Sequence, residues 1–271
     1  DYRDLWSKNP RWSFPTPLHR KIVERMEYNS LKEAEKLTVT NRSMKERIIN
    51  VRKFIKHTDV AIVYTGYDPD DFAEHVEPPK REKTVFAHLG NASNRRGLRF
   101  LFKALAELKA ENPALADEIR FRFIGLLRKS DRKAIVKNGI SSMIIEDGYL
   151  EHKQAIRALR ESDVSYISVR DDGFGELFIV GAAAETFAAG KPIVAALPEG
   201  ALRTRIEEYG ACRFADPNSP RAIRRAIEQA HEERKKGTLP TPNEEAVKRF
   251  SYDEQVEQLA KIFQFSITEK R

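Results

Sequence analysis

Short apolar segments alternate with longer amphipathic segments over most of the chain. Apolar runs of strand length cover residues 84–89, 119–124, 143–145, 164–169, 193–195 and the region around Cys212. Between these runs, large apolar residues recur every three or four positions, as on the buried face of a helix. The predicted helices cover residues 98–108, 130–138, 151–161, 201–209 and 220–234. Strands and helices that alternate in this way predict an α/β fold with a doubly wound parallel sheet.

A smaller α/β unit precedes this sheet. It has predicted helices at residues 18–34 and 44–55 and predicted strands at residues 37–40 and 60–64. Proline and acidic residues then mark a linker that extends to residue 83. Residues 1–6 are typical of the end of a strand, so we expect further sequence before them and interpret this unit as a partial domain.

We therefore predict three parts of the chain. Residues 1–75 form the partial N-terminal domain with its linker, residues 76–240 form the main α/β domain, and residues 241–271 form C-terminal helices. The last predicted helix, residues 253–263, follows a proline-rich linker. We expect it to cross back and pack on residues 18–55.

The charge of the chain favours an anionic partner. The 271 residues carry a formal net charge of +7, which favours phosphorylated ligands, acidic lipids or nucleic acid. No stripe of alternating basic and aromatic residues is present, so we expect no nucleic-acid partner. The single cysteine, Cys212, excludes an internal disulfide and fits a reducing compartment. We therefore expect a cytoplasmic protein.

One stretch carries most of the candidate chemistry. An acidic, glycine-rich loop at residues 171–175 leads into a helix of small residues, which ends at Gly190 before the strand at residues 193–195. This arrangement places a helix N-terminus at the edge of the sheet, where its free amides favour a phosphate. Glu185 lies inside the same helix, where its carboxylate can accept hydrogen bonds from a diol. A site for a phosphate next to a site for a diol predicts that the ligand is a sugar nucleotide.

Glycines follow several of the predicted strands. Gly90, Gly125, Gly148 and the loop at residues 173–175 all lie at the carboxyl ends of strands, where parallel sheets bind ligands. We expect these positions to line one crevice. The alternative, that the glycines only make tight turns, stays open, although the basic residues of the first loop favour anion binding.

Four segments, in this order and at this spacing, resemble a known family. They are residues 1–6 (DYRDLW), 64–72 (YTGYDPDDF), 86–97 (FAHLGNASNRRG) and 180–194 (VGAAAETFAAGKPIV). Nearly the whole chain resembles the C-terminal half of a retaining, nucleotide-sugar-dependent glycosyltransferase of the GT-B fold, in glycosyltransferase family 4. Leu5 and Thr65 depart from the family pattern, which has Pro and Asn at these positions. The resemblance implies a Rossmann-like donor domain at residues 76–240 and part of the acceptor-side domain before it.

The resemblance implies roles for individual residues. Arg96 stands at the position of the family's catalytic Lys, and Glu185 matches its ribose-binding Glu; a buried helical Glu paired with a nearby base is the alternative for Glu185. Arg and Lys differ in reach and in hydrogen-bond geometry, so their equivalence is not assured. The other implied donor-binding residues are Gly90, Asn91, Arg95, Gly125, Tyr149, Leu150, Gly181 and Ala182.

The resemblance also implies a reaction. A sugar is transferred with retention from a nucleotide sugar to a glycan, lipid-linked or small-molecule acceptor, in polysaccharide biosynthesis, while Arg96 and helix amides stabilise the leaving diphosphate. No Asp-x-Asp pair lies in a donor loop, so we expect no metal and no cofactor. By analogy, the basic first segment, residues 1–75, is a candidate for peripheral contact with a membrane.

The oligomeric state and the identities of the base, the sugar and the acceptor stay open at this point. Two other functions stay open as well. One is a non-catalytic α/β domain that binds a nucleotide or another anion. The other is a GT-B-fold sugar-nucleotide epimerase, whose usual catalytic His and acidic residues we cannot place in this sequence. Because the acceptor-side domain is only partly present, the chain is also a candidate for an inactive, donor-binding fragment.

Overall fold

The computed structural model describes residues 1–9, 12–92, 97–171 and 182–269 of the chain. The strands are β1 (Leu37–Val39), β2 (Val60–Ile62), β3 (Thr84–Leu89), β4 (Ile119–Ile124), β5 (Ile144–Gly148), β6 (Val164–Ser168), β7 (Ile193–Ala196) and β8 (Cys212–Ala215). The helices are α1 (Pro17–Glu33), α2 (Arg42–Val51), α3 (Leu98–Glu111), α4 (Pro113–Asp117), α5 (Lys129–Lys137), α6 (His152–Arg160), α7 (Ala183–Ala188), α8 (Ala201–Tyr209), α9 (Pro220–Lys236), α10 (Glu244–Lys248) and α11 (Tyr252–Glu269).

The larger sheet has six parallel strands in the order β5-β4-β3-β6-β7-β8. The chain enters at the centre in β3, moves outward to β5, and then crosses back to β6 beside β3. This order is that of a Rossmann-type, doubly wound sheet, in which ligands bind where the winding direction reverses. The α/β fold class predicted from the sequence is confirmed, and the reversal point lies between β3 and β6.

Helices cover both faces of this sheet. Alternate strand residues such as Phe86 and Phe121 point to one face, where they pack with α3, α5 and α9. Their neighbours, such as Ala87 and Ile124, point to the other face, which α6, α7 and α8 cover. Because both faces are covered, nearly every side chain of β3 is buried, as expected for a central parallel strand.

The first segment has its own small sheet and its own core. Strands β1 and β2 pair in parallel, and Tyr2 forms an isolated parallel bridge with Val39. Its buried apolar residues form a cluster separate from those of the larger sheet. Beside this cluster, the buried Glu27 accepts hydrogen bonds from Ser7, Tyr2 and Arg52, which together offset the cost of burying its charge.

The chain crosses from the first segment to the larger sheet near Tyr67 and returns near Ser251. These two connecting segments lie side by side. The Tyr67 amide donates to the Phe250 carbonyl at 2.8 Å, and the Tyr252 amide donates to the Tyr67 carbonyl at 2.9 Å. Helix α11 then runs back along the first segment. The Gln258 amide nitrogen donates to the Ile62 carbonyl at 2.8 Å.

Of two further contacts of α11, one lies inside the predicted range 18–55, at Lys36, and one lies after it, at Tyr64. Gln255 accepts from the Tyr64 amide at 2.7 Å, and Lys36 Nζ lies 4.7 Å from the ring centroid of Phe265. Helix α11 thus touches the end of β2 and the turn before β1. The boundaries near residues 75 and 240 stay predictions. Among the described residues, no helix combines the length and apolarity needed to cross a bilayer.

Candidate functional site

Three glycines bring the carboxyl ends of neighbouring strands into close contact. The Gly90 amide donates to the Ile124 carbonyl at 2.8 Å, and Gly125 forms a bridge with Gly148. A Cβ atom on Gly125 would lie 2.7 Å from the carbonyl carbon of Gly90, so only glycine fits there. The φ angles of Gly90, Gly125 and Gly148 are +103°, +137° and +72°, which favour glycine as well. The result is a strand edge at which partly exposed glycine backbone comes together.

Asn91 holds this edge together. Its Oδ1 accepts a hydrogen bond from the Leu126 amide at 2.8 Å, and the next residue, Ala92, donates its amide to the Leu126 carbonyl at 2.9 Å. In this structure the Asn91 side chain therefore fixes the loop after β3 against the loop after β4. Its direct contact with a donor stays a prediction.

The N-terminus of α3 lies at the reversal point of the sheet. Gly97 is the N-cap residue, with φ of +66°. A Cβ atom on Gly97 would lie 3.5 Å from Cα of Arg170, which comes two residues after β6 and has an exposed side chain. The backbone of Arg170 thus lies beside the N-terminus of the 14-residue helix α3, whose free amides favour an anion. The sequence analysis missed Arg170, although its position after a buried strand was visible.

Two of the predicted phosphate-binding arginines lie just before this helix. Arg95 and Arg96, like Gly181 and the predicted crevice loop at residues 173–175, are outside the described residues. Their roles stay predictions. Since Arg96 directly precedes Gly97, its place in the sequence is at the start of α3.

Glu185 lies in the first turn of α7; the residue is partly exposed, and its Oε2 atom is buried. Burial raises the pKa of its carboxyl group; nearby Asp71 raises it further, and His152 lowers it. Among the described residues, its Oε2 atom is buried and has no hydrogen-bond partner. A buried acceptor without a donor is costly, so incoming hydroxyl groups would be bound favourably there. Ala182, just before the helix, accepts a hydrogen bond from the Thr186 hydroxyl at 2.7 Å.

A histidine–aspartate pair lies beside Glu185. His152 Nε2 and Asp71 Oδ2 are 2.8 Å apart, and they connect the start of α6 to the 3-10 turn Pro69–Phe72 of the linker. The sequence analysis did not select either residue, because they are 81 positions apart and no local motif joins them. Both residues act electrostatically on the Glu185 carboxyl group.

The segments that carry the predicted residues meet on one face of the sheet. Leu89, Leu150 and Ala189 belong to one hydrophobic cluster with α6. These three residues adjoin Gly90, Tyr149 and the helix of Glu185. Leu150 is therefore partly buried in that cluster, whereas the Tyr149 side chain is 78% exposed and free to stack on a planar group.

The described residues contain no cluster of three or more His, Cys, Asp or Glu side chains that could hold a metal ion. The cationic and amide groups named above are candidates for anion binding. Transfer without a metal stays a prediction of the sequence analysis.

Sequence comparison now assigns the family. The profile described as "Glycosyl transferases group 1" matches residues 70–244, more than half of the chain. The chain belongs to the glycosyl transferases group 1 family. The matched region contains all six strands of the larger sheet. No curated protein sequence matches the chain significantly.

Solved structures of glycosyltransferases share the fold. HepE from Anabaena, solved in complex with UDP, has a TM-score of 0.70 at 15% identity, with 92% of this chain and 70% of that chain covered. A glycosyltransferase from Rickettsia africae has a TM-score of 0.69 at 15% identity, and the match covers 93% of this chain and 68% of that chain. Sucrose-phosphate synthase from Thermosynechococcus elongatus has a TM-score of 0.67 at 14% identity, and the match covers 96% of this chain and 65% of that chain.

These comparisons confirm the resemblance at the level of the superfamily and the GT-B fold. This chain spans about two thirds of the length of each of these three structures. They also support glycosyl transfer from a nucleotide sugar as the activity of the family. Retention of the anomeric configuration, membership in family 4 and the identity of the acceptor stay predictions.

Proposed function

We propose that this chain binds a nucleoside-diphosphate sugar and, as a glycosyltransferase or the donor-binding portion of one, transfers the sugar with retention. The observation that carries the proposal is the convergence at the reversal point of the sheet. Glycine backbone, the N-terminus of α3 and Arg170 lie at the strand edge, and the buried carboxylate of Glu185 lies on the adjoining face. The first group suits a diphosphate, and the second suits a diol.

Each group has a separate task in the proposed reaction. The α3 amides, Arg170 and Arg96 offset the charge that develops on the leaving diphosphate as the bond to the anomeric carbon breaks. Glu185 accepts hydrogen bonds from the ribose hydroxyls, which orients the donor. Tyr149 stacks on the base. Positive side chains and helix amides supply the electrostatic stabilisation, so the proposal includes no metal and no cofactor.

The finer features belong to the same proposal. We propose a family 4 enzyme of the hexosyltransferase type that acts on a glycan, lipid-linked or small-molecule acceptor in polysaccharide biosynthesis. A cytoplasmic location with peripheral membrane contact follows from the same resemblance. The Anabaena HepE structure with UDP and glucose supports a hexose donor for that protein and motivates the choice of donor here.

Two alternatives lead to different measurements. A non-catalytic domain would bind the nucleoside diphosphate but release no sugar and no nucleotide from the donor. A sugar-nucleotide epimerase would change the stereochemistry of the sugar without releasing nucleotide. Incubation with UDP-glucose and a panel of candidate acceptors, followed by separate assays for free UDP, glycosylated acceptor and epimerised donor, distinguishes both from a transferase.

The binding part of the proposal is tested by thermal unfolding. At about 100 times the dissociation constant a ligand stabilises the folded state by about 2.7 kcal/mol, which raises the Tm by about 5 °C or more. We expect this shift with one nucleoside diphosphate of a panel and a smaller shift with its monophosphate.

Variants locate the bound diphosphate. Arg96→Ala and Arg170→Gln should each weaken binding about tenfold or more, because each removes a charge-assisted hydrogen bond. Arg225→Gln, an exposed arginine on α9, is the matched control and should bind as the wild type does. If no nucleoside diphosphate raises the Tm, the proposed donor site is wrong.

A further inference from the structure

The first segment contains an open cavity of about 850 Å³. Its lining residues all lie between residues 7 and 51, in the loop before α1, the start of α1 and one side of α2. Its volume is in the range of small-molecule sites. The donor-site proposal uses none of these residues.

The walls of the cavity are positively charged. Lys8, Arg20 and Arg47 line it, and no carboxylate does among the described residues. Glu24 contacts Lys8 at 2.8 Å and Arg20 at 3.5 Å, so one carboxylate is shared by two cations. An excess of positive charge therefore remains at the cavity wall, and an anionic group would offset it.

Arg47 provides a specific anchor for such a group. It lies on α2, and its Nε is buried without a hydrogen-bond partner among the described residues. A buried N–H donor without an acceptor is unfavourable, and a ligand oxygen would remove that cost. Asn50, one turn further along α2, lines the same wall and adds an amide that both donates and accepts.

Aromatic rings form another part of the wall. Trp12 is 49% exposed although it lines the cavity, and Phe14 lies beside it in the same loop. A flat aromatic ring packs well against the C–H face of a pyranose, while the surrounding Ser, Thr and Asn groups can bind its hydroxyls. Cations, hydroxyls and a flat apolar ring in one cavity match a charged sugar better than a purely apolar ligand.

We propose that this cavity is a second binding site, for a saccharide that carries a phosphate or a carboxylate. Arg47 binds the anionic group, Trp12 stacks on the sugar ring, and Asn50 binds a ring hydroxyl. The site shares no residue with the proposed nucleotide-sugar site. An extended nucleic acid fits less well, because the basic and aromatic residues surround a cavity rather than follow a groove.

Isothermal titration of the full chain with glucose 1-phosphate, glucuronic acid, glucose and inorganic phosphate tests the proposal. We expect glucose 1-phosphate or glucuronic acid to bind at least about tenfold more tightly than glucose or phosphate alone, because only they engage both walls. Saturating UDP should leave this affinity unchanged. If UDP displaces the sugar, the ligand occupies the nucleotide site and the proposal is wrong.

Variants assign the binding to the cavity. Arg47→Gln and Trp12→Ala should each weaken binding about tenfold or more. Arg42→Gln, an 84% exposed arginine on the same helix, should have no effect. Because Trp12 is half exposed, Trp12→Ala tests the site even if Arg47→Gln does not fold. Equal affinity in wild type and Trp12→Ala, or no binding of either charged sugar, would overturn the proposal.

Discussion

At the scale of single residues, Gly125 has the tightest requirement at the site. A Cβ atom there would meet the Gly90 carbonyl carbon at 2.7 Å, and its φ of +137° is unfavourable for any other residue. Because the neighbour is backbone, relief requires a shift of the strand end. We expect Gly125→Ala to lower the free energy of unfolding by about 2–4 kcal/mol and to abolish stabilisation by a nucleoside diphosphate.

Gly139 is the matched control for this substitution. Its φ is +65°, and nothing lies within 4 Å of a Cβ atom built on it. Gly139→Ala should therefore cost only about 1–2 kcal/mol, the penalty of the left-handed backbone, and should leave nucleotide binding intact. Urea denaturation of both variants compares the two costs. Equal losses would show that the contact between Gly90 and Gly125 is not restrictive.

Glu185 should make stability depend on pH. Burial raises the pKa of its carboxyl group above the ordinary value near 4.5, so the folded protein binds this proton more tightly than the unfolded chain. The penalty of burying the charge is absent below pH 4.5 and develops as the pH rises through the folded-state pKa. We expect Glu185→Gln to be more stable than wild type at pH 7, equally stable near pH 4, and about tenfold weaker in nucleotide binding.

Urea denaturation between pH 4 and pH 8 measures this difference. Glu199→Gln is the control, because the Glu199 side chain is 87% exposed, and it should retain the wild-type pH profile. A Glu185→Gln variant that is less stable than wild type at pH 7 would contradict the interpretation. It would mean that the carboxylate contributes more to the fold than its burial costs.

At the scale of elements, local signals predicted most of the secondary structure. The helix before Gly190 ends as expected, with Gly190 in the left-handed region at φ of +68°. Asn41 caps α2 as its sequence indicates, since its Oδ1 accepts from the Met44 amide at 2.8 Å. Such caps and terminating glycines depend on neighbouring residues alone, so they can be predicted from a single sequence.

Two short helices were given no bounds in the sequence analysis, although α10 lies within the predicted C-terminal helices. Helices α4 and α10 each have five residues, too few for an apolar period to show. Their caps were present in the sequence: Asn112 precedes Pro113, and Asn243 accepts from the amides of Glu245 and Ala246. Capping residues give the better signal for helices of this length.

The site itself was only partly predictable. The glycines at strand ends could be found because parallel strands end at a common edge. Arg170, by contrast, approaches Gly97 only because β6 lies next to β3, a consequence of strand order. The pairing of His152 with Asp71 likewise depends on how the linker packs on α6. Contacts made by tertiary packing between distant segments leave no pattern in one sequence.

At the scale of the whole molecule, the two sheets have separate cores. Met44 is 2% exposed and belongs to the cluster of the first segment, whereas Phe102 is fully buried in the cluster of the larger sheet. We expect Met44→Ala to destabilise the first segment by about 2–5 kcal/mol and to change nucleoside-diphosphate affinity less than about twofold.

Phe102→Ala is the matched core variant in the larger sheet. It should cost about 3–5 kcal/mol and should weaken nucleotide binding, because Phe102 is on α3, whose N-terminus faces the candidate site. Calorimetry and titration of both variants test this division. Loss of nucleotide affinity in Met44→Ala would show that the two cores are coupled.

The two connecting segments, paired at Tyr67 and Ser251, restrict how the two sheets can move. Two adjacent strands bend readily out of their common plane, but shear or twist breaks the backbone hydrogen bonds between them. Those bonds join Tyr67 to Phe250 and Tyr252. A change in the angle between the two sheets therefore has to bend both chain segments together or break these bonds.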